Sequence, residues 1–276
     1  MILLAGKPVK EKILKSVERI GEEALKRIHL HIIASNTLEN TAYIESKKKA
    51  CEKLGINVRV SFIEPTLDQL KATVNDLNYT TGIIVQFPFG NLETKQIANC
   101  IPAYQDVDGI TPTQIGNLIL RKPHVPPATA IGIIELLKYY KIQLEGKHCV
   151  IINRSHIVGL PLQQLLLQQN CTTTICHSYT TNLKEICKQA DIIIVGVGQP
   201  NFIDSSFIGD KKPVIIDVGI NRVNGKLVGD VNFDEVAPLC EAITPVPGGV
   251  GQLTVACVIR NLVQIYKNFL SLDFMY

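Results

Sequence analysis

The chain switches repeatedly between helix-spaced and strand-spaced apolar residues, and that alternation constrains the fold more than any other feature. Val9 to Arg27 has the spacing of an amphipathic helix and His29 to Ala34 that of a short strand. Thr41 to Leu54 reads as a helix ended by Gly55, Asn57 to Phe62 as a strand, Leu67 to Leu77 as a helix, and Gly82 to Gln86 as an apolar strand. Leu92 to Cys100 reads as a further helix. Strands and helices in strict alternation predict parallel sheets covered by helices on both faces, an α/β fold. The pattern lapses once, from Asp106 to Pro127, where Asp-Val-Asp-Gly, Thr-Pro-Thr and Lys-Pro-His-Val-Pro-Pro are loop chemistry. A domain junction is expected there, followed by a helix over Ala128 to Lys141. The alternation restarts with strands at His148 to Asn153, Thr172 to Cys176, Ile192 to Val197 and Val214 to Val218. Helices are expected between them at Pro161 to Gln169, with Pro161 in the first turn, and at Asn182 to Gln189.

At 276 residues the chain has room for two such domains. We expect residues 1–125 as one α/β domain and 126–254 as a second, Rossmann-like dinucleotide-binding domain. A cleft is expected between the two, and a terminal helix of about 255–276 is expected to pack back on the first. The net charge of +3 and the lack of a long basic run argue against a nucleic-acid partner. The longest apolar runs are strand-sized, so no membrane span is expected. None of the eight cysteines forms a Cys-x-x-Cys pair. Their apolar settings read as core thiols in a reducing compartment. The six histidines, His124 among them, show no metal-ligand spacing, so no metal is expected.

Three groups of residues carry chemistry. The segment Ile243 to Thr254, with Pro245, Pro247, Gly248, Gly249 and Gly251, is a stiff turn and then bare backbone, leading into a helical pattern from Val255 to Phe269. Such a segment builds a floor for a small molecule. At the second domain's first strand, Asn153-Arg154-Ser155 leads through Gly159 into a helix. With one glycine, the pattern alone reads equally well as an ordinary strand-to-helix connection. Arg154 and Ser155 sit where phosphates bind in open sheets, and an arginine there can grip a 2′-phosphate through paired donors. The next strand ends in His177-Ser178, a hydroxyl where an NAD-specific site more often carries an acid. Gly196-Val197-Gly198 and Asp217-Val-Gly-Ile-Asn221 end the following two strands with small residues. Third, Tyr43 and Lys47 share one helix face. Gln86 ends an apolar strand at the edge where ligands bind. Asp108 lies in a turn in which Asp106 reads as the turn former. Each of these residues also has an unremarkable alternative, as a surface lysine, a satisfied buried amide or a turn aspartate.

Taken together, these segments resemble the bifunctional methylenetetrahydrofolate dehydrogenase/methenyltetrahydrofolate cyclohydrolase family. The matching pieces are Tyr43 to Ala50, Gly82 to Pro88, Asp106 to Gly109, Arg154 to Pro161, His177-Ser178, Ile216 to Asn221, Gly229 to Val231 and Pro245 to Thr254, in the family's order over nearly the whole chain. The resemblance implies Lys47 as the catalytic lysine, Tyr43 as its neighbour, Gln86 as the glutamine touching it, and Asp108 as the pterin-binding aspartate. It also implies Pro247, Gly248 and Gly249 against the substrate, Asn153, Arg154, Ser155, Ser178 and Gly198 at the dinucleotide, and Ile220 near the nicotinamide. The implied activity is oxidation of 5,10-methylenetetrahydrofolate with NADP, NAD being possible, and hydrolysis of the methenyl product to 10-formyltetrahydrofolate. A cytoplasmic homodimer in one-carbon metabolism and purine biosynthesis is implied as well. Alternatives are a monofunctional NAD-dependent dehydrogenase and a non-catalytic dinucleotide-binding sensor. The chain departs from the family pattern at Asn153, where glycine is usual, at Ala128 and Ala130, and at Gln252 and Leu253. None of these changes removes a residue assigned a chemical step.

Overall fold

Fully apolar strands fix the two parallel sheets of this protein. In the computed structural model, which describes residues 1–36, 38–77, 81–122 and 125–273, every residue of Gly82–Val85 and of Ile192–Val195 is buried. Strands buried on both faces need helices above and below, and the sequence supplies them in turn. In chain order the first elements are β1 (Ile2–Leu3), α1 (Gly6–Glu18), α2 (Glu22–Lys26), β2 (His29–Ala34), α3 (Leu38–Glu52) and β3 (Asn57–Phe62). There follow α4 (Leu67–Asn75), β4 (Gly82–Val85), α5 (Thr94–Ala98), α6 (Pro112–Ile119) and α7 (Ala128–Tyr139). Next come β5 (His148–Ile152), α8 (Gly159–Leu167), β6 (Thr172–Cys176), α9 (Leu183–Lys188), β7 (Ile192–Val195) and β8 (Val214–Asp217). The last are β9 (Asn221–Val223), β10 (Lys226–Val228), α10 (Phe233–Val236), β11 (Ala242–Ile243) and α11 (Gly251–Asp273).

The chain divides into two compact units, residues 1–11 with 129–254, and residues 12–128 with 255–276. The first carries a six-stranded parallel sheet in the order β1-β11-β8-β7-β5-β6, beside the small antiparallel hairpin β9–β10. Because β6 pairs one side of β5 and β7 the other, the direction of winding reverses between β5 and β7. The crevice for a ligand in an open sheet lies at the carboxyl ends of two such strands. Its core joins Val150 and Ile152 of β5, Ile193 and Val195 of β7, and Ile215 of β8 to Phe207, Val236 and Cys187. Full burial of a side chain of this size contributes roughly 1.5–3 kcal/mol.

The second unit repeats the logic on a smaller scale. Its parallel sheet runs β3-β2-β4, so the winding reverses between β2 and β4. Ile33, Ile83 and Val85 pack there against Leu70 and Val74 of α4 and against Phe89 and Ile97. Within this unit α11 is fastened by Asn261, whose Nδ2 donates to the carbonyls of Val107 (3.0 Å) and Pro126 (2.8 Å).

Several expectations need correction. Asp106 to Pro127 is not loop throughout. Thr111 accepts from Gln114 N, Pro112 fills the first turn, and together they start α6. Residues 123 and 124 of that stretch, His124 included, lie outside the described residues, as does the end of the terminal helix at 274–276. The long helix read over Val9 to Arg27 is two helices, divided where Gly21 takes φ 91°. The hairpin β9–β10 went unread although Asn224-Gly225 (φ 49° and 76°) is the dipeptide that two successive positive-φ positions favour. Finally, residues 1–11 join the unit of residues 129–254 and not that of residues 12–128. Ile2 and Leu3 pair with Ala242 and Ile243 at the sheet's edge.

Candidate active site

Lys47 is a lysine where lysines are seldom found. It sits on α3 with 7% of its surface exposed, and its Nζ donates to Gln86 Oε1 at 2.6 Å. Gln86 follows directly on β4, at the carboxyl end beside the reversal between β2 and β4, and is itself 8% exposed. Its Nε2 donates to Phe87 O at 2.7 Å, which turns the carbonyl oxygen of the amide toward the lysine. Burial pushes the Lys47 pKa down, opposed by the Asp108 carboxylate and more weakly by Cys51. An ammonium taken out of water and given a neutral acceptor is thus biased toward the free amine.

Asp108 comes to this lysine through a turn built by Asp106. The fully buried Asp106 accepts from Gly109 N at 2.9 Å and from Thr111 N at 2.7 Å, as its place before Val-Asp-Gly predicts. A parallel bridge from Asp106 to Ile83 ties the turn to β4. Gly109 (φ 69°) has the Val125 carbonyl 2.3 Å from where a Cβ would stand, so no other residue fits. Burial raises the Asp108 carboxyl to about 6, with Lys47 lowering it and Asp106 adding to the rise. Tyr43 lies one helical turn before Lys47 and is 47% exposed, an aromatic face open to solvent. Lys47, Gln86, Asp108 and Tyr43 all belong to the 12–128 unit, and the structure joins the first three electrostatically.

The other unit holds the remaining candidates. Arg154 and Ser178 are exposed, just beyond the carboxyl ends of the paired strands β5 and β6. The Arg154 guanidinium carbon lies 5.7 Å from the centre of the Tyr179 ring, within cation–π range. Ile220 is 45% exposed, and its Cδ1 borders Gly251 at the start of α11. The segment carrying Pro247, Gly248 and Gly249 is closely fitted. Gly6 N donates to Gly248 O at 2.8 Å, and Thr244 Oγ1 accepts from Asp217 N at 2.8 Å. A Cβ on Gly249 would stand 2.6 Å from Pro245 O, so the bare backbone here is a packing requirement. The helix begins at Gly251, four residues earlier than its apolar pattern indicates.

Two features escaped the sequence reading. Asp230 is fully buried, and its carboxylate accepts from the backbone of Val197, Gly198 (2.9 Å) and Gln199 (3.0 Å) and from Asn221 Nδ2 (2.8 Å). It thus shapes the glycine-containing loop after β7. Asp217 does the same for the next segment, accepting from Gly219, Asp230 and Val231. Burial raises its carboxyl to about 6 against those three donors. The signal was the glycine preceding Asp230. A Cβ on Gly229 would collide with the Asp217 carboxylate. The second feature is the Asn153 side chain, which bonds to its own loops: Oδ1 accepts from Ser155 N and Gly159 N, and Nδ2 donates to Gly196 O.

Comparison with known proteins matches two domain models to the chain. Residues 4–108 match the catalytic domain described as tetrahydrofolate dehydrogenase/cyclohydrolase, and residues 127–270 match the NAD(P)-binding domain of the same description. The chain is 39% identical over 271 residues to the bifunctional protein FolD of Agathobacter rectalis, covering 96% of this chain and 97% of that one. Its structure superposes on that of the bifunctional FolD enzyme of Campylobacter jejuni with a TM-score of 0.92 at 37% identity, covering 98% and 99% of the two chains. The Trypanosoma brucei methylenetetrahydrofolate dehydrogenase-cyclohydrolase, solved with NADP and an inhibitor, gives 0.89 at 28% identity, covering 98% of each chain. With both halves matched and relatives similar over almost the full length, the chain belongs to the tetrahydrofolate dehydrogenase/cyclohydrolase family.

Proposed function

We propose that this protein oxidises 5,10-methylenetetrahydrofolate to the 5,10-methenyl cation with NADP and then hydrolyses the cation to 10-formyltetrahydrofolate. The observation that carries the reading is the buried Lys47–Gln86 pair beside Asp108. A dehydrogenase step alone needs alignment of substrate and cofactor. Hydrolysis of a cation needs in addition a base that is not permanently charged, and a desolvated lysine answers that need. The amine at Lys47 Nζ takes the proton of the attacking water, and the positive one-carbon centre nearby lowers its pKa further. Gln86 Oε1 holds that nitrogen in place without adding the negative charge that would keep it protonated. Asp108 accepts paired N–H bonds from the amino-pyrimidinone edge of the pterin. With a pKa near 6 it is ionised at neutral pH. Tyr43 offers its exposed ring to the pterin or aminobenzoyl group.

The NADP fit rests on Arg154 and Ser178. A guanidinium and a hydroxyl, both exposed beyond adjacent strand ends, suit a 2′-phosphate. Bound there, NADP supplies the hydride-accepting chemistry. Ile220 is proposed beside the nicotinamide, and Pro247, Gly248 and Gly249 against the substrate, on the strength of the family resemblance. A homodimer, a cytoplasmic location and service to purine biosynthesis are proposed on the same ground. The eight free cysteines, seven of them buried, accord with a reducing compartment.

One spectrophotometric experiment tests the reading. Methylenetetrahydrofolate is supplied with NADP or with NAD, and decay of the methenyl product is then followed. The expected result is preference for NADP and enzyme-dependent decay. Preference for NAD with no accelerated decay would instead establish a monofunctional dehydrogenase, and no turnover with either cofactor a non-catalytic binder.

A further inference from the structure

At the β5–α8 turn, the backbone donors of Ser155 and of the first turn of α8 are already taken. Asn153 Oδ1 accepts from Ser155 N at 2.8 Å and from Gly159 N at 3.1 Å, the latter being the first residue of α8. Ser155 Oγ accepts from Val158 N at 3.2 Å, and the Ser155 carbonyl accepts from Leu160 N at 3.1 Å. Pro161 has no N–H to offer. The helix N-terminus, which elsewhere in open α/β sheets receives a pyrophosphate, is here closed by the Asn153 and Ser155 side chains and the Ser155 carbonyl.

Asn153 also spans the point where the sheet reverses. Its Nδ2 donates to Gly196 O beyond β7, while its own backbone continues β5. Gly159 is pressed against it, since a Cβ there would lie 2.2 Å from the Asn153 carbonyl oxygen. The neighbouring loop is closed in the same manner. The N–H groups of Val197, Gly198 and Gln199 all point at Asp230, which puts a carboxylate where a second phosphate would otherwise find bare amides. This edge offers an anion the exposed Arg154 guanidinium against the Tyr179 ring, with the exposed hydroxyl of Ser178 just beyond the neighbouring strand.

We propose that Asn153 is a specificity-determining residue that shuts the β5–α8 turn to the pyrophosphate of the dinucleotide. The cofactor's 2′-phosphate then becomes its chief anchor on this unit. A glycine at position 153 would leave the Ser155 and Gly159 amides open, and the turn could cradle the diphosphate directly. The proposal rests on the NADP reading above and adds to it which part of the cofactor the protein grips.

Binding of nucleotide fragments to the intact protein, without turnover, tests it. Adenosine 2′-monophosphate, adenosine 5′-diphosphate and NADP are titrated by ligand-observed NMR into wild type, Asn153→Gly and Asn153→Ala, with thermal unfolding as the check on folding. In wild type the 2′-monophosphate should bind at least about tenfold tighter than the 5′-diphosphate. Asn153→Gly should tighten the 5′-diphosphate by about tenfold and leave the 2′-monophosphate within about threefold, with Asn153→Ala moving in the same direction. If the 5′-diphosphate binds wild type as tightly as the 2′-monophosphate, or if neither variant strengthens it, Asn153 is not a gate. If Asn153→Gly unfolds, Asn153→Ala, which removes the same amide, decides the matter. Failure of all three ligands to bind wild type is a separate result, which would overturn the NADP reading and this inference with it.

Discussion

Lys47 Nζ donates to Gln86 Oε1 across 2.6 Å, with both side chains withdrawn from solvent. A neutral acceptor is the informative half of this contact. A carboxylate in the same place would hold the lysine protonated, and an apolar residue would leave it buried without a partner. Replacing Gln86 by Glu is therefore predicted to lower methenyl hydrolysis at neutral pH by about tenfold or more, with recovery as the pH rises. The pH–rate profile of the variant against wild type checks this.

Asp108 is the largest influence opposing the shift at Lys47. Hydrolysis in wild type is expected to rise with pH through a Lys47 pKa below the ordinary 10.5. In Asp108→Asn that limb should move to still lower pH, while the KM for folate rises. Profiles at saturating substrate, with the non-enzymatic rate subtracted, separate the two effects.

The same carboxyl carries a stability prediction. Its pKa is raised from 3.8 to about 6, so the folded state holds the proton more tightly than the unfolded chain does. Stability is then lost as the pH rises from about 4 to about 6. Asp108→Asn should be more stable than wild type at neutral pH by at most about 3 kcal/mol, with the difference vanishing below about pH 4. Urea unfolding at the two pH values measures it.

Arg154 is expected to read the 2′-phosphate. Arg154→Ala should weaken NADP by about tenfold or more and leave NAD little changed. Equal losses for both cofactors would show that the guanidinium contacts something common to the two. Separate Kd measurements decide.

Asp230 serves as the shared acceptor of one loop. Asp230→Ala leaves the amides of Val197, Gly198 and Gln199 and the Asn221 side chain without their partner. A loss of about 1–3 kcal/mol is expected, the worth of hydrogen bonds to a buried charged acceptor, because the exposed Gly198 and Gln199 amides can turn to water instead. Equilibrium unfolding of variant and wild type provides the comparison.

What the sequence made legible followed from periodicity. β2, β3 and β6 begin and end where their sequence patterns do, β2 because it is buried almost throughout, and β3 and β6 because they pair residue for residue with the central strands β2 and β5. Gln86 and Asp108 could be singled out because each is polar at a ligand-facing strand end or turn, whereas Lys47, one helical turn after Tyr43, took its role from the family resemblance. What escaped depended on pairing between distant residues. β1 is two residues long, and its partner Ala242–Ile243 lies at the far end of the chain, so no local pattern marks it. Asp230 looks like a turn residue until its three amide donors, more than thirty positions away, are in view. Asn153 is marked in the sequence as a departure from glycine and, by the family resemblance, as a dinucleotide-site residue; that its side chain fills the turn follows from hydrogen bonds and not from spacing.

The most direct measurement is hydrolysis of the methenyl cation by Lys47→Met, run beside NADP binding by the same preparation. The account predicts hydrolysis reduced by at least about a hundredfold, dehydrogenation sharply reduced, and NADP affinity retained. Hydrolysis near the wild-type rate by a folded, NADP-binding Lys47→Met protein would contradict it.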